Sequence, residues 1–452
     1  MKTIEMPNAV RKILYTLHSN GYNAHIVGGC VRDSLLGITP KDWDITTNAT
    51  TDHMLKVFKD FRVIETGLQH GTITVVVEGT PFEITTYRID GKYTDNRRPD
   101  TVTFTDNLVE DLARRDFTIN AMAYNDEDGL IDPFDGEWDL ENKLIKCVGN
   151  ATERFNEDAL RILRCMRFSM RFNFTIHNYT KIGMIGSMEL LRNISTERIQ
   201  SELNEILLHT NLKNITKLHE SRILEFIIPE LTPLFTTTQN NPHHMYNVGM
   251  HTLYALAVAD NDLVIKLAVL LHDIAKDDCK TTGEDGVDHF YRHALFGSDK
   301  CIEILKRLKY SNDIVSKVTE LVLYHDIELI LTKKYVKKWL NKLGIEQFNN
   351  LLRVKLADAH AHSTHSIDNK LDVIYQIEEL LEEVELEEEC FSIADLDITG
   401  KDILELGYPQ GRVIGEILNL LLEHVMEYPE HNNKEELIDI IKNSDIIKNI
   451  FK

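Results

Sequence analysis

Hydrophobic and polar positions follow two different periods along this chain, and the change from one to the other divides it. From about residue 24 to 90, short apolar runs bounded by turn residues predict strands at Ala24–Val27, Trp43–Thr47, Thr72–Glu78 and Phe82–Tyr87. The last two are β-branched and close together, joined by the turn residues Gly79 to Pro81, which predicts an antiparallel pair. Ahead of them, the first twenty residues read as an amphipathic helix ending at Gly21; His18 and Asn20 interrupt any signal-peptide core. Residues 90–101 are polar and turn-rich and predict an exposed loop. From about 106 the helical period takes over. Glu153–Phe172 is strongly periodic, and Ser195-Thr-Glu-Arg198 opens a further helix with a cap-like serine. The stretch 240–370 is helical and studded with histidine. The acidic block Glu378–Glu389 is the one segment that reads as a low-complexity linker, and Ile398-Thr-Gly-Lys-Asp402 restarts a small helical tail.

Composition narrows the classes. At 452 residues, two to four domains are expected, and 43% hydrophobic with 27% charged residues is a soluble globular balance. The longest apolar stretches, such as Leu267 to Leu271, stop far short of a membrane span, so no membrane partner is expected. Six scattered cysteines without CxxC spacing predict free thiols in a reducing compartment, the cytoplasm. A net charge of −22 argues against bulk nucleic-acid binding, because phosphate contacts need clustered Lys and Arg. Yet residues 88–115 and 154–171 are rich in arginine, which permits a local basic track.

The candidate chemistry begins at Gly28-Gly-Cys-Val-Arg-Asp33, followed by Lys41-Asp-Trp-Asp-Ile45. Gly28 and Gly29 after a strand let the backbone approach a phosphate, and Arg32 could add a bidentate contact. Asp42 and Asp44, at i and i+2 on a strand, would share one face and offer hard oxygen ligands to two Mg2+ ions. The order Gly-Gly, Arg-Asp, Asp-x-Asp resembles the nucleotidyltransferase superfamily of the DNA polymerase beta type. The string GGCVRDSLLGITPKDWDITTNAT resembles class II tRNA nucleotidyltransferases, the CCA-adding enzymes, and bacterial poly(A) polymerases. That resemblance implies a third carboxylate from a later strand, for which Glu83 stands, alongside the alternative that Glu83 simply faces solvent. Arg114-Arg-Asp-Phe-Thr-Ile-Asn-Ala-Met122 resembles the family's RRD motif. Arg114 or Arg115 would neutralise triphosphate, Asp116 would accept from ribose hydroxyls, and Asn120 belongs to the same nucleotide-binding block.

Glu157-Asp-Ala-Leu-Arg161 resembles the family's EDxxR motif, which Arg164 extends. On a helix, Asp158 and Arg161 at i and i+3 share a face. A carboxylate accepts from the exocyclic amine of cytosine or adenine while a guanidinium donates to the adjacent ring nitrogen. Guanine and uracil present the reverse pattern. The loop from Asp90 to Asp100, with Arg97-Arg98, matches the family loop that takes part in switching from C to A. Farther on, His251, His272-Asp273 and Asp358 follow the order that defines the HD superfamily, with His293 and His325 as further candidates. Imidazoles with carboxylates suit a transition-metal ion rather than Mg2+ alone.

The resemblance implies an α+β fold: a polymerase-beta-type nucleotidyltransferase head (1–150), then an all-α neck (151–235) carrying base recognition, an HD-containing body (236–375) and a tRNA-binding tail (376–452). It implies template-independent addition of CCA to tRNA from CTP and ATP with Mg2+, and a second metal centre with possible phosphohydrolase activity. The alternatives are an A-only enzyme, a poly(A) polymerase, and a metal phosphohydrolase with a tRNA-binding head.

Overall fold

The computed structural model describes residues 3–93, 96–97, 99–240, 246–362, 364–387 and 389–444, the side chains of 69 and 364–366 aside. They form two compact units, Met1–Ile227 and Ile228–Lys452.

The first unit is built on a mixed seven-stranded sheet in the order β3-β4-β5-β2-β1-β8-β9. Its strands are β1 (Ala24–Val27), β2 (Ile45–Thr47), β3 (Arg62–Ile64), β4 (Thr72–Val77), β5 (Thr80–Thr86), β8 (Ala123–Asn125) and β9 (Gly129–Ile131). Two short pairs lie outside it: β6 (Arg88–Asp90) with β7 (Val102–Phe104), and β10 (Leu144–Ile145) with β11 (Thr175–Ile176). β2 and β5 run parallel in the register Ile45↔Ile84, and the other pairs of the large sheet are antiparallel. The predicted strand at Trp43–Thr47 is shorter than expected. It begins at Ile45, so Asp42 and Asp44 stand at its mouth rather than within it. The predicted β4–β5 pair is present, but its turn is tighter. Val77 pairs with Thr80, and Glu78 and Gly79 both adopt positive φ (53° and 83°), the signature of a type I′ hairpin. Pro81 therefore sits inside β5, beyond the stretch that pairs with β2, where its missing N–H costs no ladder bond.

Helix α1 (Asn8–Ser19) closes over the sheet with Val10, Ile13, Leu14 and Leu17 buried. It ends where predicted, with Gly21 N–H bonding the carbonyl of His18 and Tyr22 N–H that of Leu17, a Schellman pattern that φ +84° at Gly21 permits. Further helices of this unit are α2 (Gly29–Leu35), α3 (Thr51–Val57), α4 (Leu108–Ala113), α5 (Gly136–Glu141), α6 (Ala151–Glu157), α7 (Leu160–Phe172), α8 (Asn178–Gly186), α9 (Thr196–Leu208), α10 (Ile215–Ser221) and α11 (Ile223–Ile227). The single helix expected over Glu153–Phe172 is two. Asp158 leaves the helix with φ −135° and ψ 105°, and its carboxylate accepts from the N–H of Leu160, as capping side chains do.

The second unit is helical. Its helices are α12 (Val248–Val258), α13 (Leu263–Leu271), α14 (Lys276–Cys279), α15 (His293–Arg307), α16 (Asn312–Tyr324), α17 (Lys333–Leu343), α18 (Ile345–His360), α19 (Thr364–Leu386), α20 (Gly400–Glu405), α21 (Arg412–Glu427) and α22 (Lys434–Asn443). A small hairpin, β12 (Lys280–Thr282) and β13 (Asp288–Phe290), accompanies them. Nearly all of α13 is buried, and α12, α16 and α18 pack on it. The acidic block is not a linker: it runs into the 23-residue helix α19, whose Ile374, Ile377, Leu381 and Val384 are buried at helical spacing. The charged residues between them form the solvated face.

Gly136, at the start of α5, lies against the turn that carries Asn120. A Cβ there would stand 2.3 Å from the Thr118 carbonyl oxygen and 2.9 Å from its carbon. Both are backbone atoms and cannot rotate away. Gly136→Ala is expected to destabilise the first unit by about 1–3 kcal/mol, read as a lower urea midpoint.

Candidate functional site

β1 ends at Val27, and Gly28 turns the chain into α2 with φ 79° and ψ −123°, a conformation only glycine takes readily. The Nη1 of Arg115 lies 2.7 Å from where a Cβ on Gly28 would be, so the guanidinium lies directly against the strand–helix turn. Burial pulls the Arg115 pKa down; Asp111 and Asp44 oppose that shift and Arg114 adds to it. Its Nε has no hydrogen-bond partner. Arg114 points elsewhere, bonding Asp111 through Nε (2.9 Å) and Nη2 (2.8 Å). Of the two arginines of the RRD block, it is thus Arg115 that stands beside Gly28 and Asp44.

Asp42 and Asp44 are exposed at the mouth of β2. Protein packed around Asp44 still raises its pKa, Arg115 opposes, and the neighbouring Asp42 charge reinforces the rise. Glu83 is exposed on β5, one residue before the Ile45↔Ile84 pair, just as Asp44 is one residue before it on β2. In a parallel register the two positions lie side by side and share a face, opposite that of buried Ile45 and Ile84.

Asp116 is the most heavily bonded carboxylate of the site. One oxygen accepts from Phe117 N–H (2.8 Å) and Asn120 Nδ2 (3.0 Å); the other accepts from Arg164 Nε (2.8 Å) and pairs with its Nη2 at 2.7 Å. Burial alone would raise its pKa, but Arg164, Asn120 and Arg161 outweigh that and hold the carboxyl well below its ordinary range. These bonds occupy all the acceptor positions a carboxylate has. Asn120 in turn accepts from Arg32 Nη1 (2.5 Å). Arg32 also bonds Asp33 and is flanked by the rings of Phe168 and Phe172, 5.1 and 5.0 Å from its guanidinium carbon. Arg32 and Asp116 are therefore committed to protein partners here.

The EDxxR residues stand at the break between α6 and α7 rather than along one helix face. Asp158 accepts from Arg198 Nη2 of α9 (3.0 Å), a partner that sequence spacing gave no means of finding. Arg161 bonds Glu157 (2.6 Å) and the carbonyls of Arg154 and Arg114. The loop after β6 docks on the same break. Asn96 accepts through its carbonyl from Ala159 N–H (3.1 Å), donates from Nδ2 to the Asn156 carbonyl (2.6 Å) and accepts through its side chain from Asn193 (3.1 Å). Arg98 lies outside the described residues. The arginines of α7 do not form an open basic track: Arg161, Arg164, Arg167 and Arg171 pair with Glu157, Asp116, Glu202 and Asp33 respectively.

In the second unit the HD residues converge. His251 Nε2 is 2.8 Å from Asp358 Oδ1, His272 Nε2 is 3.1 Å from Asp273 Oδ2, and His272 is 3.6 Å from Asp358. His293 and His325 face each other through Nε2 at 3.1 Å, and His362, which the sequence reading passed over, lies 3.3 Å from Asp358. These residues form groups whose ligand atoms lie close enough to hold metal ions.

The first unit is thus built on a mixed sheet with exposed carboxylates at the mouth of β2, and the second unit is helical. Residues 24–146 match the poly A polymerase head domain, 173–235 an RNA and SrmB-binding site of polymerase A, and 294–441 the tRNA nucleotidyltransferase domain 2. Each of these three segments is similar to a domain of poly(A) polymerases or tRNA nucleotidyltransferases. It is 48% identical over 197 residues to the CCA-adding enzyme of Levilactobacillus brevis, covering 44% of this chain and 49% of that one. To the CCA-adding enzyme of Oceanobacillus iheyensis it is 45% identical over 233 residues, covering 51% and 56%. The chain thus spans about half the length of the curated relatives it matches. The crystal structure of the Bacillus stearothermophilus CCA-adding enzyme in complex with CTP superposes with a TM-score of 0.68 at 25% identity, covering 98% of this chain and all of that one. Among the described residues no helix is long and apolar enough to cross a membrane.

Asp116→Asn removes the charge that half-buried Arg164 pairs with and is expected to cost about 1.5–3 kcal/mol, as losing hydrogen bonds to a charged group does. The pH dependence has a fixed sign. A folded pKa below the unfolded one gives stability that is complete above about pH 4 and drains away as pH falls further. Urea midpoints between pH 5 and pH 3 should fall more steeply for the parent than for Asp116→Asn.

Proposed function

We propose that the head adds CMP, CMP and then AMP to the 3′ end of tRNA from CTP and ATP without a template. The observation that carries this is the grouping at the mouth of the sheet: Asp42 and Asp44, Glu83 level with Asp44, and Arg115 against Gly28. The tRNA 3′-hydroxyl loses its proton to water as its oxygen attacks the α-phosphorus in line, the bond from that phosphorus to the oxygen bridging to the β-phosphate breaks, and pyrophosphate leaves. Asp42 and Asp44 are the residues that would hold Mg2+, with Glu83 as a third carboxylate. Bound there, Mg2+ supplies the positive charge that favours the alkoxide and the leaving pyrophosphate. The residues suit it: two neighbouring exposed carboxylates, one with its pKa raised by the protein around it and by the other, are opposed chiefly by a single guanidinium. Gly28 and Gly29 let the triphosphate approach the backbone, and Arg115 offsets its charge.

Asp158 and Arg161 read the base, with Asp158 accepting from the exocyclic amine of C or A and Arg161 donating to the ring nitrogen. Their present partners, Arg198 and Glu157, hold them until a base takes their place. Asp116, Asn120, Arg32 and Arg164 position this pair and the turn at Gly28; Arg114 anchors the same block through Asp111. The labour divides along the chain: head (1–150), base-reading neck (151–235), His-rich body (236–375) and a tail (376–452) that grips tRNA by phosphate and shape. Six unpaired cysteines suit a reducing, cytoplasmic setting.

The test is a tRNA ending at its discriminator base, incubated with CTP and ATP and read at nucleotide resolution. Growth by CCA and then arrest is expected. A single A added only to CC-ended tRNA would mean an A-only enzyme, an unlimited A tail a poly(A) polymerase, and no addition a phosphohydrolase with a tRNA-binding head. Asp42→Ala should reduce addition to background. Asp158→Ala should lower discrimination of C and A over G and U by about 1–3 kcal/mol; equal loss with all four nucleotides would mark a structural ion pair instead.

A further inference from the structure

Asp111 lies on α4 with 0% exposure, and its two oxygens face different partners. Oδ1 accepts from Arg114 Nε (2.9 Å) and from the backbone N–H of Arg88 (3.2 Å), and pairs with Arg114 Nη2 (2.8 Å). Oδ2 accepts from the hydroxyl of Thr46 (3.3 Å), which also reaches the Thr85 carbonyl (3.3 Å), and lies 3.8 Å from Arg115 Nη2. Thr46 is on β2, two residues after Asp44, and Arg88 opens β6, the strand that leads into the 90–100 loop. One carboxylate thus joins the strand behind Asp44, the root of the loop and the guanidinium beside Gly28.

Arg115 depends on that carboxylate. Only 20% of its side chain is exposed, its Nε has no partner, and Asp111 is the only carboxylate within ion-pair distance among the described residues. Nη1 is the arm that lies against the Gly28 turn. A guanidinium so far withdrawn from water is tolerated beside a counter-charge and costly without one. After Asp111, the carboxylates whose charge acts on Arg115 are Asp44 and Asp116. Asp116 already has its acceptor positions filled by Phe117, Asn120 and Arg164. That leaves Asp44. A guanidinium drawn onto Asp44 would leave the glycine turn and occupy oxygens that could otherwise hold a cation.

We propose that Asp111 is a positioning residue of the triphosphate site: it holds Arg115 against Gly28 and off Asp44. One guanidinium then meets the phosphates, while Asp42 and Asp44 stay open to a divalent cation. This inference rests on the nucleotide-adding reading of the head and deepens it. Its sign is the reverse of what charge alone dictates. An anion near a triphosphate repels it, so removing Asp111 as a mere charge should tighten nucleotide binding. Removing it as the anchor of Arg115 should loosen binding.

The experiment measures CTP binding to the full chain by isothermal titration calorimetry in EDTA, so that no metal contributes. Asp111→Asn keeps the side chain's shape and an acceptor oxygen for Arg114, and is expected to weaken binding about tenfold, as losing a charge-assisted anchor does. Thr46→Val, similar in shape and suited to a strand, removes the hydroxyl that meets Oδ2 and should weaken binding about threefold. It decides the matter if Asp111→Asn does not fold. In an Arg115→Gln background neither substitution should weaken binding further, because the residue they act through is gone. With Mg2+ present, Asp111→Asn should also raise the Mg2+ concentration for half-maximal CMP addition. Unchanged or tighter CTP binding in the folded variants, or weakening that persists in the Arg115→Gln background, would overturn the role of Asp111. A parent chain that binds no CTP would instead overturn the nucleotide-adding reading on which that role rests.

Discussion

The carboxylate of Asp116 lies where three parts of the first unit meet. Through Asn120 it reaches Arg32 on the helix after the glycine turn; through its own backbone neighbour it fixes the RRD block; through Arg164 it binds α7, the helix that follows Asp158. A buried charge is tolerated only when its bonding capacity is met, and here four protein donors meet it. The glycine turn, the guanidinium of Arg115 and the break at Asp158 are all held in register by elements that converge on this one anion. A family role for Asp116 as a direct acceptor from ribose therefore competes with a structural role already filled.

The same principle revises the arginine-rich segments. In the sequence they permit a local basic track for phosphate. In three dimensions each arginine of α7 spends its charge on a carboxylate, Arg161 on nearby Glu157 and the other three on distant stretches of chain, and the rings of Phe168 and Phe172 stack among several of the guanidiniums. These cations hold helices and sheet together. The overall charge of −22 is thus not offset by an open basic band along α7.

Local patterns were legible where local forces decide the outcome. The amphipathic first helix and its glycine stop, and the β4–β5 hairpin, came directly from periodicity and turn chemistry. The mixed sheet order did not, because parallel pairing of β2 with β5 is a long-range event with no sequence period. Asp158 broke a helix that apolar spacing had drawn as continuous, since its capping bond competes with helix propagation and leaves no trace in the hydrophobic pattern. The acidic block erred the other way: its charges hid Leu381 and Val384, which continue the helical spacing of Ile374 and Ile377 just ahead of it. Of the site, the residue types were readable in order, but the partners were not. Arg198, Asn96 and His362 are joined to their sites only by folding, and Arg115 could not be told from Arg114 until Gly28 was seen against it.

The docking of Asn96 on the interhelical break has a mechanical side. Its three bonds tie a surface loop to the last residues of α6, to the residue just after Asp158, and to Asn193 ahead of α9. Loop and break are therefore one linkage: a shift of the loop either carries the peptide beside Asp158 with it or ruptures those bonds. The placement of Asp158 in such an arrangement is a property of the linkage's geometry, and it can be retuned from Asn96 without altering Asp158 itself.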